Sequence, residues 1–168
     1  MKDLAIRRAC SGDLLIVIAI HAQDDPGTEP PGAATERQQH TWTRMMERTD
    51  SLAVYLAEVD GEPVGTASLL LMPNLTYDCA PTAFIEAVVV SPAYRRQGIA
   101  GELIRRLLGD ARAAGCNKVQ LLSHKRHATD GAHRLYASLG FEPEAEGFRL
   151  YLQRMPAAVQ RDGHDDGP

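Results

Sequence analysis

Ala83-Phe84-Ile85-Glu86-Ala87-Val88-Val89-Val90-Ser91-Pro92-Ala93-Tyr94-Arg95-Arg96-Gln97-Gly98-Ile99-Ala100-Gly101-Glu102-Leu103-Ile104 decides the fold. An apolar, β-branched run of strand length passes a Pro-marked turn, enters a basic corner and leads into a helix-period pattern. The first turn of a helix carries backbone N–H groups with no partner inside the helix, and the aligned peptide dipoles add partial positive charge there. Anions settle at such ends. Gly98, Ala100 and Gly101 keep side chains small where a pyrophosphate would approach the backbone, while Arg95 and Arg96 add full charges. Strand, basic turn and helix together read as a phosphate site.

Some thirty residues on comes a second motif, Ala132-His133-Arg134-Leu135-Tyr136-Ala137-Ser138-Leu139-Gly140-Phe141. Arg95-x-x-Gly98-x-Ala100 after a Val-rich strand, followed by Tyr136 and then Gly140-Phe141, resembles the GNAT superfamily of acyl-CoA N-acyltransferases. The resemblance runs over residues 3 to 154. It implies an α+β fold, a mixed, mostly antiparallel sheet flanked by helices, splayed where strand 83–90 meets a strand near 118–122. It implies acetyl-CoA as cosubstrate; His124 and His127, without an accompanying Cys or carboxylate pattern, read as solvated loop histidines and not as ligands, so no metal is expected. The pyrophosphate would lie on Arg95, Arg96, Gln97, Gly98, Ile99, Ala100 and Gly101, with the pantetheine arm pairing with the backbone around Val88 and Val90. Members often carry Asn seven residues before the tyrosine; Thr129 stands there, and it offers one hydroxyl in place of an amide's paired groups.

Outward from this centre, residues 4 to 9 read as an edge strand, and Ser11-Gly12-Asp13 caps an apolar helix from Leu14 to Ala22. Asp24 to Gly32, with three prolines, two glycines and three acids, is a loop, and Thr35 to Arg48 is a mostly polar helix whose buried stripe is Trp42, Met45 and Met46. Loop and helix together are read as a substrate lid or a solvated connector. Leu52 to Val59 and Pro63 to Met72 form a hairpin about Asp60-Gly61. After the basic turn, Ile99, Leu103, Leu107 and Ala111 share a helix face that Gly115 ends. Lys118 to Leu122 is a short strand, Thr129-Asp130 caps a helix to Leu139, and 142–145 with 148–153 form a last pair of strands. Residues 1–155 are thus one domain, and 156–168 hold too little apolar matter to fold, giving a disordered tail.

At 168 residues the chain is long enough for a real core without staples. Cys10, Cys79 and Cys116 are widely spaced and odd in number, which points to reduced thiols and a cytoplasmic setting. No apolar run approaches the ~18 residues of a membrane span, and nothing at the N-terminus reads as a signal peptide. A net charge of −4 argues against nucleic acid as partner.

Acyl transfer from a thioester to an amine needs a neutral amine, a held thioester, a donor for the oxyanion and a proton for the departing thiolate. Glu86 is the ionisable side chain within the apolar central strand, and simple alternation puts it on the face of Val88 and Val90. It is either the general base or a carboxylate that reaches solvent. Some relatives place the acid one residue further on, where this chain has Ala87. Tyr136 matches the family's general acid, since a phenol stays protonated at neutral pH and can donate to a nascent thiolate; otherwise it is a core tyrosine. A backbone N–H near Val88 would meet the oxyanion.

The stretch Ser123-His124-Lys125-Arg126-His127-Ala128 resembles one in aminoalkylphosphonate N-acetyltransferases and suits an anionic amine, whereas Asp24, Asp25 and Glu29 would attract a cationic one. The expected activity is acetylation of a primary amine on a small molecule, by direct attack in a ternary complex. Acetylation of protein lysines or N-termini, and a non-catalytic acyl-CoA sensor, are the alternatives. Dimers are common among relatives, so a homodimer is compatible.

Overall fold

The computed structural model describes residues 3–24, 32–125, 131–150 and 152. Five strands, β1 (Leu4–Arg8), β2 (Leu52–Val59), β3 (Glu62–Met72), β4 (Thr82–Val90) and β5 (Lys118–Leu121), lie in sequence order in one sheet. The pairs β1–β2, β2–β3 and β3–β4 are antiparallel and β4–β5 is parallel. Helices α1 (Leu14–Ala22), α2 (Glu36–Met46), α3 (Ile99–Ala113) and α4 (Ala132–Ser138) flank it. This is the mixed, mostly antiparallel α+β sheet that the sequence implies.

Local chemistry explains the element ends. Asp60 and Gly61 take φ of 52° and 81°, the pair of positive values that a two-residue hairpin turn requires. Thr35 and Gln38 form a capping box at the start of α2, with the Thr35 N–H donating to Gln38 Oε1 at 2.8 Å. α3 closes with Cys116 N–H donating to the Ala111 carbonyl and Gly115 N–H to that of Arg112, a Schellman pattern.

Two cores form, one on each face of the sheet. Leu103, Ile104, Leu107 and Ala111 of α3 pack on Tyr55, Ala57, Ala83, Ile85 and Val90. On the other face Val17, Ile20 and Trp42, from α1 and α2, pack on Val54, Leu56 and Val89. Trp42 Nε1–H donates to the Ser11 carbonyl at 3.0 Å, so the indole is buried with its donor satisfied.

These memberships reveal a slip in β4. Ala83 and Ile85 face α3, as does Val90, while Val89 faces α1 and α2, so the alternation changes phase between Ile85 and Val89. The cause is a β-bulge: Ser68 pairs with Glu86 and Thr66 with Val89, leaving Ala67 opposite two residues, of which Ala87 has φ of 54°. Glu86 therefore lies on the α1/α2 face, and Val88, packed against the α3-side core, lies with Val90 on the other. The expected sharing of a face by Glu86, Val88 and Val90 is corrected by this bulge.

A second correction concerns the last strands. Residues 142–150 form no strand, and Phe148 is 90% exposed. Three acids and a proline between Glu142 and Gly147 disfavour pairing, and β5 is only four residues long. The proposed tail and the Thr129-Asp130 cap lie outside the described residues.

Candidate active site

The β4–β5 ladder runs from Thr82↔Lys118 to Ile85↔Leu121 and stops there, while β4 continues to Val90. Residues 86–90 of β4 thus lose their parallel neighbour, and the bulge breaks their antiparallel ladder at Ala87–Val88 as well. An interrupted ladder leaves main-chain polar groups for another partner. The sheet opens at this point, as the sequence implies.

Beyond β4 the chain makes a 3₁₀ turn over Pro92–Tyr94 and enters α3. Arg95 Nε donates to the Val90 carbonyl at 2.9 Å, tying the loop to the strand end, and its guanidinium meets Asp24 at 3.3 Å. Gln97 Nε2 donates to the Ala93 carbonyl at 3.2 Å. Arg96 (φ 64°) and Gly98 (φ 85°) turn the chain so that Gly98 caps α3, and Arg96, Gln97 and Gly98 are exposed. The first-turn N–H groups of Ile99, Ala100 and Gly101 have no partner within the helix. Gly98 would meet nothing within 4 Å if it carried a Cβ, so its outer side is open. Gly101 is different: it is buried, and a Cβ there would meet Arg105 Nη1 at 3.5 Å and Leu135 Cδ1 at 3.6 Å. Its small size serves the packing of α3 on α4, while the outer side of Gly98 is unobstructed. Ile99 is buried in the α3-side core, so it can offer a ligand only its main chain.

Tyr136 lies on α4, half-buried against the same core and edge-to-face with Phe141 at 6.0 Å. His133, one turn earlier on α4, has a buried Nε2 without a hydrogen-bond partner among the described residues. Such an orphan is the kind of group that a bound ligand or water satisfies. Nothing in the sequence singled it out, because one histidine in a helix is an ordinary core residue. Glu86 is exposed, so the apolar run does not bury its carboxylate. Thr129, Asp25, Glu29 and the 126–128 part of the basic stretch lie outside the described residues; His124 and Lys125 are exposed.

Cys10 and Cys79 are exposed and Cys116 is half-buried, its thiol pushed up by burial. Among the described residues no group of His, Cys, Asp or Glu is gathered as a metal site, and no helix is long and apolar enough to cross a membrane.

Charge on the framework is tightly paired. Arg7 joins Asp13 and Glu58, each at 2.7 Å, and it holds the Asp13 carboxyl well below the usual carboxylate range. Asp13 also accepts from the Cys10 N–H at 2.7 Å, which fixes the start of α1 to β1. The buried Tyr55 hydroxyl donates to Asp110 and accepts from Arg8, and burial first, then Asp110, pushes that hydroxyl up. Burial pushes His21 down, partly opposed by Asp24.

The model of the acetyltransferase (GNAT) family matches residues 16–141. Over 99 residues, 59% of this chain, the sequence is 35% identical to a glucosamine 6-phosphate N-acetyltransferase of Trypanosoma brucei brucei, and that match spans 64% of the trypanosomal protein. It is 28% identical over 109 residues, 64% of this chain, to an aminoglycoside N(6′)-acetyltransferase type 1 of Salmonella typhimurium, spanning 73% of that protein. In structure it resembles an Agrobacterium tumefaciens protein provisionally described as an acetyltransferase, with 32% identity and a TM-score of 0.78 over 88% of this chain and 99% of the other. A family match across three quarters of the sequence, on an opened sheet followed by a left-handed glycine at the head of α3, has one meaning: the chain belongs to the GNAT acetyltransferase family.

Proposed function

We propose that the protein is an acyl-CoA-dependent N-acetyltransferase that moves the acetyl group of acetyl-CoA to a primary amine of a small molecule by direct attack in a ternary complex. The observation that carries this reading is the opening of the sheet after Ile85↔Leu121, directly before a loop in which Gly98 heads α3 with its outer side free. The cosubstrate, when bound, supplies the acyl group and a thiolate leaving group.

The chain's own residues divide the rest. Arg96, the open side of Gly98 and the N–H groups of Ile99, Ala100 and Gly101 receive the pyrophosphate, while Arg95 braces the loop through the Val90 carbonyl and Gln97 through that of Ala93. The free edge at Val88 and Val90 takes the amide-bearing arm. A main-chain N–H near Val88, where the bulge interrupts the ladder, donates to the oxyanion, a donor commonly worth ~3 kcal/mol. Glu86, on the opposite face, takes the proton of the incoming amine, directly or through water, and Tyr136 returns one to the sulfur. A cysteine acyl intermediate is unnecessary: Cys10, Cys79 and Cys116 lie outside this constellation, and burial keeps the Cys116 thiol protonated.

The test is thiol release from acetyl-CoA with a panel of amino sugars and their phosphates, aminoalkylphosphonates, aminoglycosides, polyamines and lysine peptides. Release that depends on a small amine supports the reading. Release only with peptides transfers it to protein acetylation. Tight acetyl-CoA binding with no accelerated release from any acceptor overturns catalysis and leaves a sensor.

A further inference from the structure

The face of the sheet that carries Glu86 also carries a cavity of about 180 Å³ lined by Thr41, Arg44, Met45, Arg48 and Leu52. Register connects the two. Leu52 pairs with Leu70, and Leu70 with Phe84; one step along, Val54 pairs with Ser68, and Ser68 with Glu86. Directly paired residues share a face, so Leu52, Leu70, Phe84, Ser68 and Glu86 form a continuous floor. Val54, packed beneath α1 and α2, fixes which face this is. Leu70 is 40% exposed and Ser68 and Phe84 are half-buried, so the floor between the cavity and Glu86 is open.

Arg44 lies in the last turn of α2 and Arg48 two residues beyond its end, and both line the cavity over this end of the floor. Both are exposed, and neither makes an ion pair among the described residues. Arg7, Arg8, Arg95, Arg105 and Arg106 hold carboxylates, while Arg37, Arg96, Arg112 and Arg134 share with Arg44 and Arg48 the lack of an ion pair among the described residues; of these unpaired arginines, Arg44 and Arg48 line the cavity. Two guanidiniums and a threonine hydroxyl make a donor-rich end without an acceptor charge, which is what a phosphate or phosphonate needs.

We infer that Arg44 and Arg48, with Thr41, hold the anionic group of the acceptor, so that the substrate is an amine bearing a phosphate or phosphonate. This rests on the transferase reading above. Leu52, on the cavity wall, lies two strands across and two residues along from Glu86, about 12 Å at the usual strand spacing and rise. On this reading an amino sugar phosphate sets its amine at Glu86 and its phosphate at the arginines. A polycation such as an aminoglycoside would place positive charge against the pair and bind poorly.

The experiment compares glucosamine 6-phosphate with glucosamine, and 2-aminoethylphosphonate with ethanolamine, in wild type and in Arg44→Met/Arg48→Met. Wild type should prefer the anionic member of at least one pair by about 10²-fold in kcat/KM, and the double variant should lose at least about 30-fold on that member. Its acetyl-CoA affinity and its rate with the uncharged member should change by less than about 3-fold, and Lys at both positions should restore part of the preference. No preference in wild type, or an equal loss on both members of a pair, overturns the inference while leaving the transferase standing. So does a double variant that binds acetyl-CoA poorly. No turnover of any amine overturns the transferase reading itself.

Discussion

Gly98 and Gly101 sit three residues apart at the head of α3, and the same substitution should have opposite consequences at them. At Gly98, φ is 85° and an added Cβ would touch nothing within 4 Å, so Gly98→Ala meets no clash in the free protein. The cost is conformational. An L-residue in the left-handed region costs roughly 1–2 kcal/mol, of which about 0.5–1 is returned by a stiffer unfolded chain. The net loss of about 1 kcal/mol corresponds to a fall in Tm of about 2–4 °C for a domain of this size. The larger effect is on binding, because the methyl group enters the open space where a pyrophosphate would lie; acetyl-CoA affinity should fall at least about tenfold. Gly101→Ala puts its Cβ at ordinary contact distance from Arg105 and Leu135, inside a helix, where replacing glycine by alanine gains up to about 1 kcal/mol. Tm should stay level or rise, and acetyl-CoA affinity should stay within about twofold. Thermal melts monitored by circular dichroism and titration of acetyl-CoA by calorimetry read both. A Gly101→Ala protein that keeps its Tm and loses affinity would refute the assignment of that glycine to packing. A Gly98→Ala protein with unchanged affinity would refute the phosphate site.

Tyr136→Phe keeps the ring against Phe141 and removes only the hydroxyl, so kcat should fall about 10²-fold or more with acetyl-CoA affinity unchanged; an unchanged kcat reduces Tyr136 to a packing residue. Glu86→Gln should abolish the acid limb of the kcat/KM profile against pH while leaving Tm alone, since the side chain is exposed. Persistence of that limb would place the base elsewhere. Stability should fall with acid in two stages. Burial lowers the pKa of His21 in the fold, so the unfolded chain binds its proton more readily and stability declines as pH drops below about 6.5. The Asp13 carboxyl is lowered by Arg7, so its contribution is complete above about pH 4 and is lost below it. His21→Gln should remove the first stage, and Asp13→Asn should cost about 2 kcal/mol at pH 7 and flatten the second, as read from urea melts across pH. A His21→Gln protein with the first stage intact would assign that stage to another group.

Much of the architecture was legible because local chemistry and hydrophobic period agreed: Asp60-Gly61 placed the hairpin, the 3.6-residue pattern placed α3, and the opened sheet followed from two motifs in order. The bulge was not legible. A run such as Ala83 to Val90 is apolar at nearly every position, so a one-residue change of phase leaves its pattern intact, and an alanine at positive φ carries no signal of its own. The phase belongs to the pairing with β3, which places Ala67 opposite two residues. The chain-terminal strands failed for the opposite reason, since alternation at Phe148, Leu150 and Leu152 suggested pairing where the described fold provides no neighbour. Arg44 and Arg48 belong to a mostly polar stretch whose pattern carries no mark of the cavity they line with Leu52.

The phase change at Ala87 also bears on how such a protein can acquire new tasks. On the reading proposed above, everything that grips the cosubstrate lies beyond the bulge and toward α3, while everything that meets the amine lies before it and toward α2. The two halves share a strand but no side chains. Descendants of this chain could then exchange one acceptor for another by altering positions such as 41, 44 and 48, with the inherited nucleotide grip untouched. Libraries randomised at positions 41, 44 and 48 should therefore yield altered amine preferences among variants that all retain wild-type acetyl-CoA affinity.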